Sequence, residues 1–363
     1  MAEGPRSLKG MHDVVPPASA RWSELIARFA ARAERFGYGL VITPVLENLD
    51  VFQRVGASTD IVRKEMYSFA DRDGTMLAAR PELTAGVARA FVQLRPDTPW
   101  KVWYVGPNFR HERPQKGRLR QHFQVGAEVF GVDDPEVDVE LISLAWGFYR
   151  DLGLVQYTVA LNSLGDEKCR PAYLELLRDH LRAHISELCA DSQARIDDNP
   201  LRVLDCKQPS CIAVTERAPQ LLEHLCTECE AHFERVQQGL RDSGIDFEIT
   251  PRLVRGLDYY TRTLFEFPSA AADAAQNALG GGGRYDGLVE EMGGPPTPGI
   301  GFGSGVERLL LACDAEGVFP ISVVPLDLFV VDLLGGGEAV PLLHEVREAG
   351  LAADRAYGGR SAK

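Results

Sequence analysis

Two apolar runs, 101–110 and 120–130, enclose a short polar loop at 111–119, and this arrangement restricts the fold more than any other feature of the chain. Runs of this length rich in Val, Trp, Tyr and Phe read as strands. A connection this short cannot carry a crossover to a parallel partner, so the two strands must lie antiparallel. Around them the pattern changes period. Trp22, Leu25, Ile26, Phe29, Ala30, Ala33 and Phe36 recur at helical spacing, and Gly37 stops that helix. GYGLVITPVLE reads as a strand broken by Pro44, which lacks a ladder donor and marks an edge or an interface.

Segments 64–70 and 75–79 read as a hairpin about Asp71-Arg72-Asp73-Gly74, and Glu82 to Leu94 as a helix entered through Arg80-Pro81. Helix is expected from Glu136 to Leu152, and strand around 155–162. Strands return at 247–267, a glycine-rich turn is expected at 280–283, and a helix from about 305 to 316. Helices and antiparallel strands grouped this way predict an α+β core rather than a doubly wound sheet.

A chain of 363 residues exceeds one ordinary core. Residues 1–165 and 248–323 are expected to form the core domain. Residues 166–247 differ in texture: helical, rich in Glu and Arg, and holding six of the seven cysteines, they predict a helical insertion. From Leu326 the pattern is strand, helix (Ala339–Ala349), strand (AADRAY), then a stop at GGRSAK. A lone βαβ unit buries little core, so 326–363 is expected to be part of a truncated α/β domain.

With 45% hydrophobic and 25% charged residues the composition is that of a soluble enzyme, and a net charge of −13 argues against a non-specific nucleic-acid coat. A local basic patch remains, with Arg110, His111, Arg113, Lys116, Arg118 and Arg120 close in sequence. No apolar run reaches membrane-spanning length, and MAEGPRSLKG lacks a secretory h-region. Seven cysteines without a signal predict a cytoplasmic protein with reduced thiols or a metal. Cys206, Cys211, Cys226 and Cys229 form C-x4-C-x14-C-x2-C, the outline of a structural zinc site, against the alternative of four separate core cysteines. Cys169, Cys189 and Cys313 read as core.

Four segments carry polar residues where a sheet should be apolar. In RPELT, Glu82 and Thr84 stand at a strand–helix junction, suited to capping the helix or to holding an ammonium group. Gln124, Gly126 and Glu128 share one strand face, where a Gln and a Glu are costly unless they meet a polar ligand. Arg110 and Glu112 also share a face, and such an Arg suits phosphate. Arg255-Gly256-Leu257-Asp258-Tyr259-Tyr260 is dense in polar groups, with a buried Arg–Asp pair as its dull alternative. GFGSGVERLLL has the wrong spacing for a dinucleotide fingerprint, and its glycines fit a helix start packed under a flat ligand; Arg308 is its unusual residue.

The order and wording of these blocks resemble histidyl-tRNA synthetases over nearly the whole chain: KGMHDVVPP, EMYSFADRDG, RPELTAG, VGPNFRHERPQKGRLRQ, NPLRVLDCK, LVRGLDYYTRTLFEF, GGGRYDGLVEEMGG and GSGVERLLL. The resemblance implies a class II synthetase fold, a six-stranded antiparallel sheet flanked by helices, and a homodimer with the Pro44 region at its interface. It assigns Glu82, Thr84, Gln124, Glu128, Tyr259, Tyr260 and Tyr285 to histidine. It places Arg110, Glu112, Arg118 and Arg308 on ATP, and Arg255 at the reacting α-phosphate. The family sets an aromatic before a His after the basic loop. The order here is His122-Phe123, so both stand as candidates to stack on adenine.

Arg113, Lys116 and Arg120 would meet the acceptor end of tRNA(His), and 326–363 would begin an anticodon-binding domain. The implied reaction is attack of the histidine carboxylate on the α-phosphorus of ATP with Mg²⁺, then transfer of histidine to the tRNA 3′ end. Two other readings stay open: a regulatory paralogue serving a histidine-biosynthetic phosphoribosyltransferase, and an enzyme that adenylates histidine for another acceptor.

Overall fold

A computed structural model describes residues 4–56, 59, 61–271, 277–321, 326–333 and 337–357. The chain divides into two compact units, Met1–Asp13 with Glu24–Pro320, and Val14–Ser23 with Ile321–Lys363. In chain order the first elements are α1 (Ala18–Arg35), β1 (Gly39–Leu40), β2 (Leu46–Asn48), α2 (Leu49–Gly56), β3 (Tyr67–Ala70) and β4 (Met76–Ala79). Then come α3 (Thr84–Leu94), β5 (Trp100–Phe109), β6 (Gln121–Phe130), α4 (Pro135–Asp151) and β7 (Val159–Ser163). The segment expected to be helical holds α5 (Arg170–Ala183), α6 (Ala190–Arg195), α7 (Pro209–Thr215) and α8 (Thr227–Asp242), and is followed by β8 (Phe247–Ile249). The chain continues through β9 (Thr261–Pro268), β10 (Ala278–Arg284), α9 (Leu288–Glu291), β11 (Gly299–Gly305) and α10 (Val306–Glu316).

An eight-stranded sheet in the order β1-β5-β6-β11-β10-β9-β7-β8 organises the larger unit. Its six central strands are antiparallel, and the short edge strands β1 and β8 add in parallel to β5 and β7. The α+β architecture expected from the sequence is the one observed, with two edge strands beyond the six implied by resemblance. β5 and β6 pair in register along their whole length, from Trp100↔Phe130 to Phe109↔Gln121. β3 and β4 form the expected hairpin, closed by Asp71 N donating to Thr75 O at 2.8 Å.

Glycine hides two strands from the sequence. Residues 280–283 are not a turn but the middle of β10, and the glycines of 301–305 lie in β11, where no strand was expected, although the helix expected from about 305 does follow as α10. Without side chains these stretches show no alternation, yet at the centre of a sheet both backbone edges find partners. The run 39–49 is likewise not one strand. Pro44 lies between β1 and β2, which join different sheets, and Arg80 Nη1 donates to the Thr43 carbonyl (2.9 Å) and the Pro44 carbonyl (3.2 Å).

The strand period sorts the sheet into two faces. Trp103, Ala127 and Phe302 stand opposite one another on one face, where Phe29 of α1 packs edge-on against Trp103, Phe302 and Phe148 of α4. Asp134 starts α4 by accepting the Glu136 amide at 2.9 Å, with Pro135 in the first turn. The opposite face carries Tyr104, Asn108, His122, Gln124, Gly126 and Glu128. Polar side chains on a largely buried strand face call for partners, and this face is the one that carries the candidate site.

In the second unit β12 (Leu328–Val330) and β13 (Ala353–Arg355) pair in parallel, joined through α11 (Ala339–Glu348), which is the expected βαβ pattern. The stop expected at GGRSAK lies outside the described residues. No helix among the described residues is long and apolar enough to cross a membrane.

Candidate active site

One end of the polar face is a closed knot around Glu128, a residue with no exposure. Its carboxylate accepts from the Thr84 hydroxyl (2.7 Å), the Tyr104 hydroxyl (3.0 Å) and the Tyr285 hydroxyl. Gly301 lies directly across from Glu128, and a Cβ there would collide with the carboxylate. Glu82 is buried beside it and accepts the Ala85 amide at 2.8 Å, so the capping reading holds even as the carboxylate faces the site. Burial raises its pKa, against the pull of the Ala85 and Thr84 amides and of Arg110. The rings of Tyr259 and Tyr260 lie 4.9 Å apart, and Tyr259 meets Tyr285 edge-on at 5.6 Å. Among the described residues the buried Tyr259 hydroxyl has no partner in hydrogen-bonding geometry, an unmet polar group of the kind a ligand satisfies.

The other end is cationic. Arg110, on the strand end leaving β5, donates to the Pro81 carbonyl at 2.8 Å, and burial lowers its pKa. Arg308, in the first turn of α10, reaches over to donate to the Gly117 carbonyl at 3.0 Å. Burial lowers its pKa, and Arg110, Arg118 and Arg255 press it in the same direction. Arg255 passes over Gly281, where any side chain would meet its guanidinium, and pairs with Glu266 at 2.8 Å. Burial opposes its charge, but Tyr260, Glu266 and Tyr259 outweigh that and leave its pKa raised. Like charges drawn together at a partly desolvated site repel unless a polyanion joins them.

Between these ends runs β6. Gln124 stands four residues from Glu128 on the same face, about 13 Å along the strand. Its side chain accepts from Asn108 at 2.7 Å. His122 lies on this face too, and its pKa falls to about 3 through burial and the nearby charges of Arg110 and Arg308. Phe123 does not join them. The two-residue period turns it to the helix-covered face with Val125 and Ala127, so of the two candidates for adenine only His122 faces the arginines.

The loop between the strands holds its own ion pair. Glu112, buried, contacts Arg118, and Arg120 donates to the Glu112 carbonyl at 3.1 Å. Arg113 and Lys116 are exposed at its surface. The loop base is pinned by the Gly10 carbonyl, which accepts the Arg120 and Gln121 amides at 2.9 and 3.2 Å.

The four cysteines read as one cluster do not meet. Cys226 and Cys229 lie with Asp166 and Cys169, whereas Cys206 and Cys211 lie with Cys189. The spacing motif was right that thiols gather but could not say which, because helix packing brings together residues sixty positions apart. Cys169 and Cys189 are therefore cluster members rather than plain core; Cys313 is buried in α10.

Sequence reasoning passed over Tyr104, Asn108, Glu266 and Glu307. Tyr104 and Asn108 had a signal, since they fall on the polar face by the period of two. Glu307, whose carboxylate accepts the Phe123 amide at 2.9 and 3.1 Å and whose pKa burial raises to about 7, had none beyond its place before Arg308.

Burial also raises the Glu128 pKa to about 8. The folded value exceeds the unfolded one, so the fold holds this proton more tightly. Stability therefore falls as pH rises from about 4.5 toward 8. Glu128→Gln should accordingly raise the thermal midpoint near pH 9, with the gain disappearing near pH 5. Calorimetry at the two pH values checks this, and an equal gain at both would show that ionisation of Glu128 costs the fold nothing.

Residues 10–309 match the family model described as histidyl-tRNA synthetase. The chain is similar to a histidine–tRNA ligase of Anaeromyxobacter dehalogenans, 50% identical over 351 residues that cover 96% of this chain and 84% of that protein. It is 46% identical to the corresponding ligase of Bacillus licheniformis over 367 residues, 98% of this chain and 86% of that protein. Among solved structures, apo histidyl-tRNA synthetase of S. aureus superposes with a TM-score of 0.80 at 35% identity, covering 99% of this chain and 86% of that one. A Bacillus halodurans protein titled as an ATP phosphoribosyltransferase regulatory subunit/histidyl-tRNA synthetase shares the fold with a TM-score of 0.71 at 20% identity, covering 98% of this chain and 94% of that one.

Proposed function

The chain belongs to the histidyl-tRNA synthetase family, and from that premise we propose which of its residues perform each step of the reaction. It is an ATP-dependent ligase that activates histidine as its adenylate and transfers it to tRNA. The single observation that carries the residue assignment is the pairing, on one sheet face, of a buried carboxylate knot with a converging set of arginines.

Histidine lies at the knot. Glu82 and Thr84 hold its ammonium group, while Glu128, Tyr259, Tyr260 and Tyr285 surround the imidazole, whose N–H repairs the cost of ionising Glu128. An apolar side chain of similar size leaves those acceptors unpaired, and this is the source of selectivity. Gln124, offset toward the arginines, meets the carboxylate end. MgATP binds over β6 and β11 with adenine against His122. Arg110 and Arg255 grip the α-phosphate, Glu112 and Arg118 the nucleotide, and Arg308 the γ-phosphate. The glycine strands β10 and β11 let the substrates lie flat on the sheet.

Activation needs no protein nucleophile. The histidine carboxylate attacks the α-phosphorus in line, the bond to the bridging oxygen breaks, and pyrophosphate leaves with its electron pair. The arginines stabilise charge on the phosphoryl oxygens. A ribose hydroxyl of the terminal adenosine then attacks the adenylate carbonyl and expels AMP. Arg113, Lys116 and Arg120 receive the acceptor end. Residues 326–363 form part of an anticodon-binding domain, residues 1–165 and 248–323 a catalytic domain, and residues 166–247 a helical insertion.

The working unit is a homodimer. Leu40, Ile42, Val45 and Leu46 are exposed around Pro44, and a second copy would cover them. A reaction that consumes ATP and tRNA, in a chain whose cysteines are free thiols, supports a cytoplasmic location.

Histidine-dependent ATP–pyrophosphate exchange tests the first step, and exchange with another amino acid but not histidine would overturn the pocket assignment. For the second step, Arg113→Ala and Lys116→Ala should each lower the salt slope of tRNA charging by about 1. The loss should be larger in charging than in exchange. Unchanged salt dependence would move the tRNA off this loop.

A further inference from the structure

Outside the active face, four potential ligands converge where two helices begin. Cys169 precedes α5, Cys226 precedes α8, and Cys229 lies in the first turn of α8. Asp166 completes the group, and one ligand atom from each of the four lies within 4.8 Å of every other. The sequence thus supplies two short knuckles, Asp166-x2-Cys169 and Cys226-x2-Cys229. We propose that these four residues form a tetrahedral structural site for a divalent zinc ion.

Distances favour a shared ion over accidental neighbours. Zinc bonds of about 2.3 Å to sulfur and 2.0–2.2 Å to oxygen imply oxygen–sulfur separations of roughly 3.5–3.7 Å around a tetrahedron. Asp166 Oδ1 lies 3.6 Å from Cys169 Sγ and 3.8 Å from Cys226 Sγ. Each carboxylate oxygen has its own task. Oδ1 faces the thiols, with its second lone pair accepting the Lys168 amide at 3.0 Å, and Oδ2 lies 3.8 Å from Arg262. The Asp166 amide points at Cys169 Sγ at 3.4 Å, a donation that favours thiolate. Three thiolates select a borderline-soft ion, and the carboxylate favours zinc over cuprous copper.

The alternative, plain core cysteines, leaves a carboxylate among three thiols with little to gain. Ion binding explains why Cys169 and Cys229 are buried beside a charged group, and why two helix N-termini and Arg262 face it. It also explains Gly165, whose φ is +59° and where a Cβ would stand 2.6 Å from Cys169 Sγ. The second thiol group, Cys189, Cys206 and Cys211, gathers no carboxylate among the described residues, and serves as an internal contrast.

The site would act as a strut. Arg170, next to Cys169, donates to the Leu164 carbonyl at 2.8 Å and to the Tyr260 carbonyl at 2.6 Å. Arg262 donates its amide to the Gly165 carbonyl at 2.7 Å. An ion fixing the 164–170 turn to α8 therefore holds the backbone that carries Tyr259 and Tyr260.

Metal content of the unaltered chain, purified without chelators, is the test, beside Cys226→Ser, Cys169→Ser and Cys206→Ser. The expected result is loss of about one zinc per chain in the first two variants and none in the third. Should the serine variants fold poorly, cobalt reconstitution of the unaltered chain decides: thiolate-to-cobalt charge transfer with tetrahedral d–d bands supports the site. Absence of both zinc and a cobalt spectrum overturns it. So does zinc lost only with Cys206, or a Cys226–Cys229 disulfide seen as the loss of a hydrogen pair by mass.

Discussion

Replacing Arg255 by alanine is expected to lower kcat for histidine-dependent ATP–pyrophosphate exchange by roughly two to three orders of magnitude. The guanidinium is three-quarters buried and held by Glu266 at 2.8 Å, so its direction is fixed before substrate arrives. A donor aimed in advance at charge that grows on the α-phosphoryl oxygens contributes mostly in the transition state. kcat should therefore fall much further than KM for histidine rises. Arg255→Lys keeps the charge but not the planar fork, and should recover only part of the loss. Glu266→Gln separates the direct effect from an unpaired Glu266, because it removes that carboxylate's charge while retaining Arg255. Exchange within a few-fold of the unaltered chain in Arg255→Ala would remove Arg255 from the reacting phosphate.

What was legible in the sequence followed the strength of side-chain patterning. β5 and β6 were readable almost to the residue, because apolar and polar side chains alternate against a loop too short for any parallel connection. The same period exposed Gln124 and Glu128 as a shared face. Patterning vanishes where side chains vanish, and so β10, with four consecutive glycines, looked like a turn. Its identity as a strand comes from neighbours on both sides, which local sequence does not contain. Thiol grouping failed for a related reason. Cys226 and Cys229 are close in sequence, but their companions, Asp166 and Cys169, come from the far end of the insertion. Order within a pair mattered as well: a strand turns His122 and Phe123 to opposite faces, so exchanging two letters changes which side chain faces the arginines.

Arg284 was also invisible as a key residue, and its removal should have the largest effect on stability. It is fully buried, as is Asp138 of α4, and their side chains pair at 2.7 and 2.8 Å. Arg284 also donates to the carbonyls of Val132 (3.1 Å) and Asp134 (2.7 Å), and His232 of α8 completes the group at 3.2 Å from Asp138. Arg284→Met should cost about 3–5 kcal/mol, since it strands a carboxylate without its counter-charge. Burial alone would raise the Asp138 pKa, but the His232 hydrogen bond and the Arg284 charge bring it below the ordinary value. A lowered folded pKa contributes stability above the unfolded pKa of about 4, lost as pH falls through the folded value. Without Arg284 the burial cost is no longer offset, and the folded pKa rises. The sign then reverses: charging Asp138 destabilises the variant as pH increases, so the deficit should be larger near pH 7 than near pH 5. Adding Asp138→Asn to Arg284→Met should recover part of the loss and flatten this dependence. Denaturant titrations at both pH values measure it, and a deficit below about 1 kcal/mol would place this cluster among ordinary surface pairs. The effect should reach the site, because Tyr285 follows Arg284 directly and donates to Glu128. At temperatures where Arg284→Met remains folded, KM for histidine should rise more than KM for ATP.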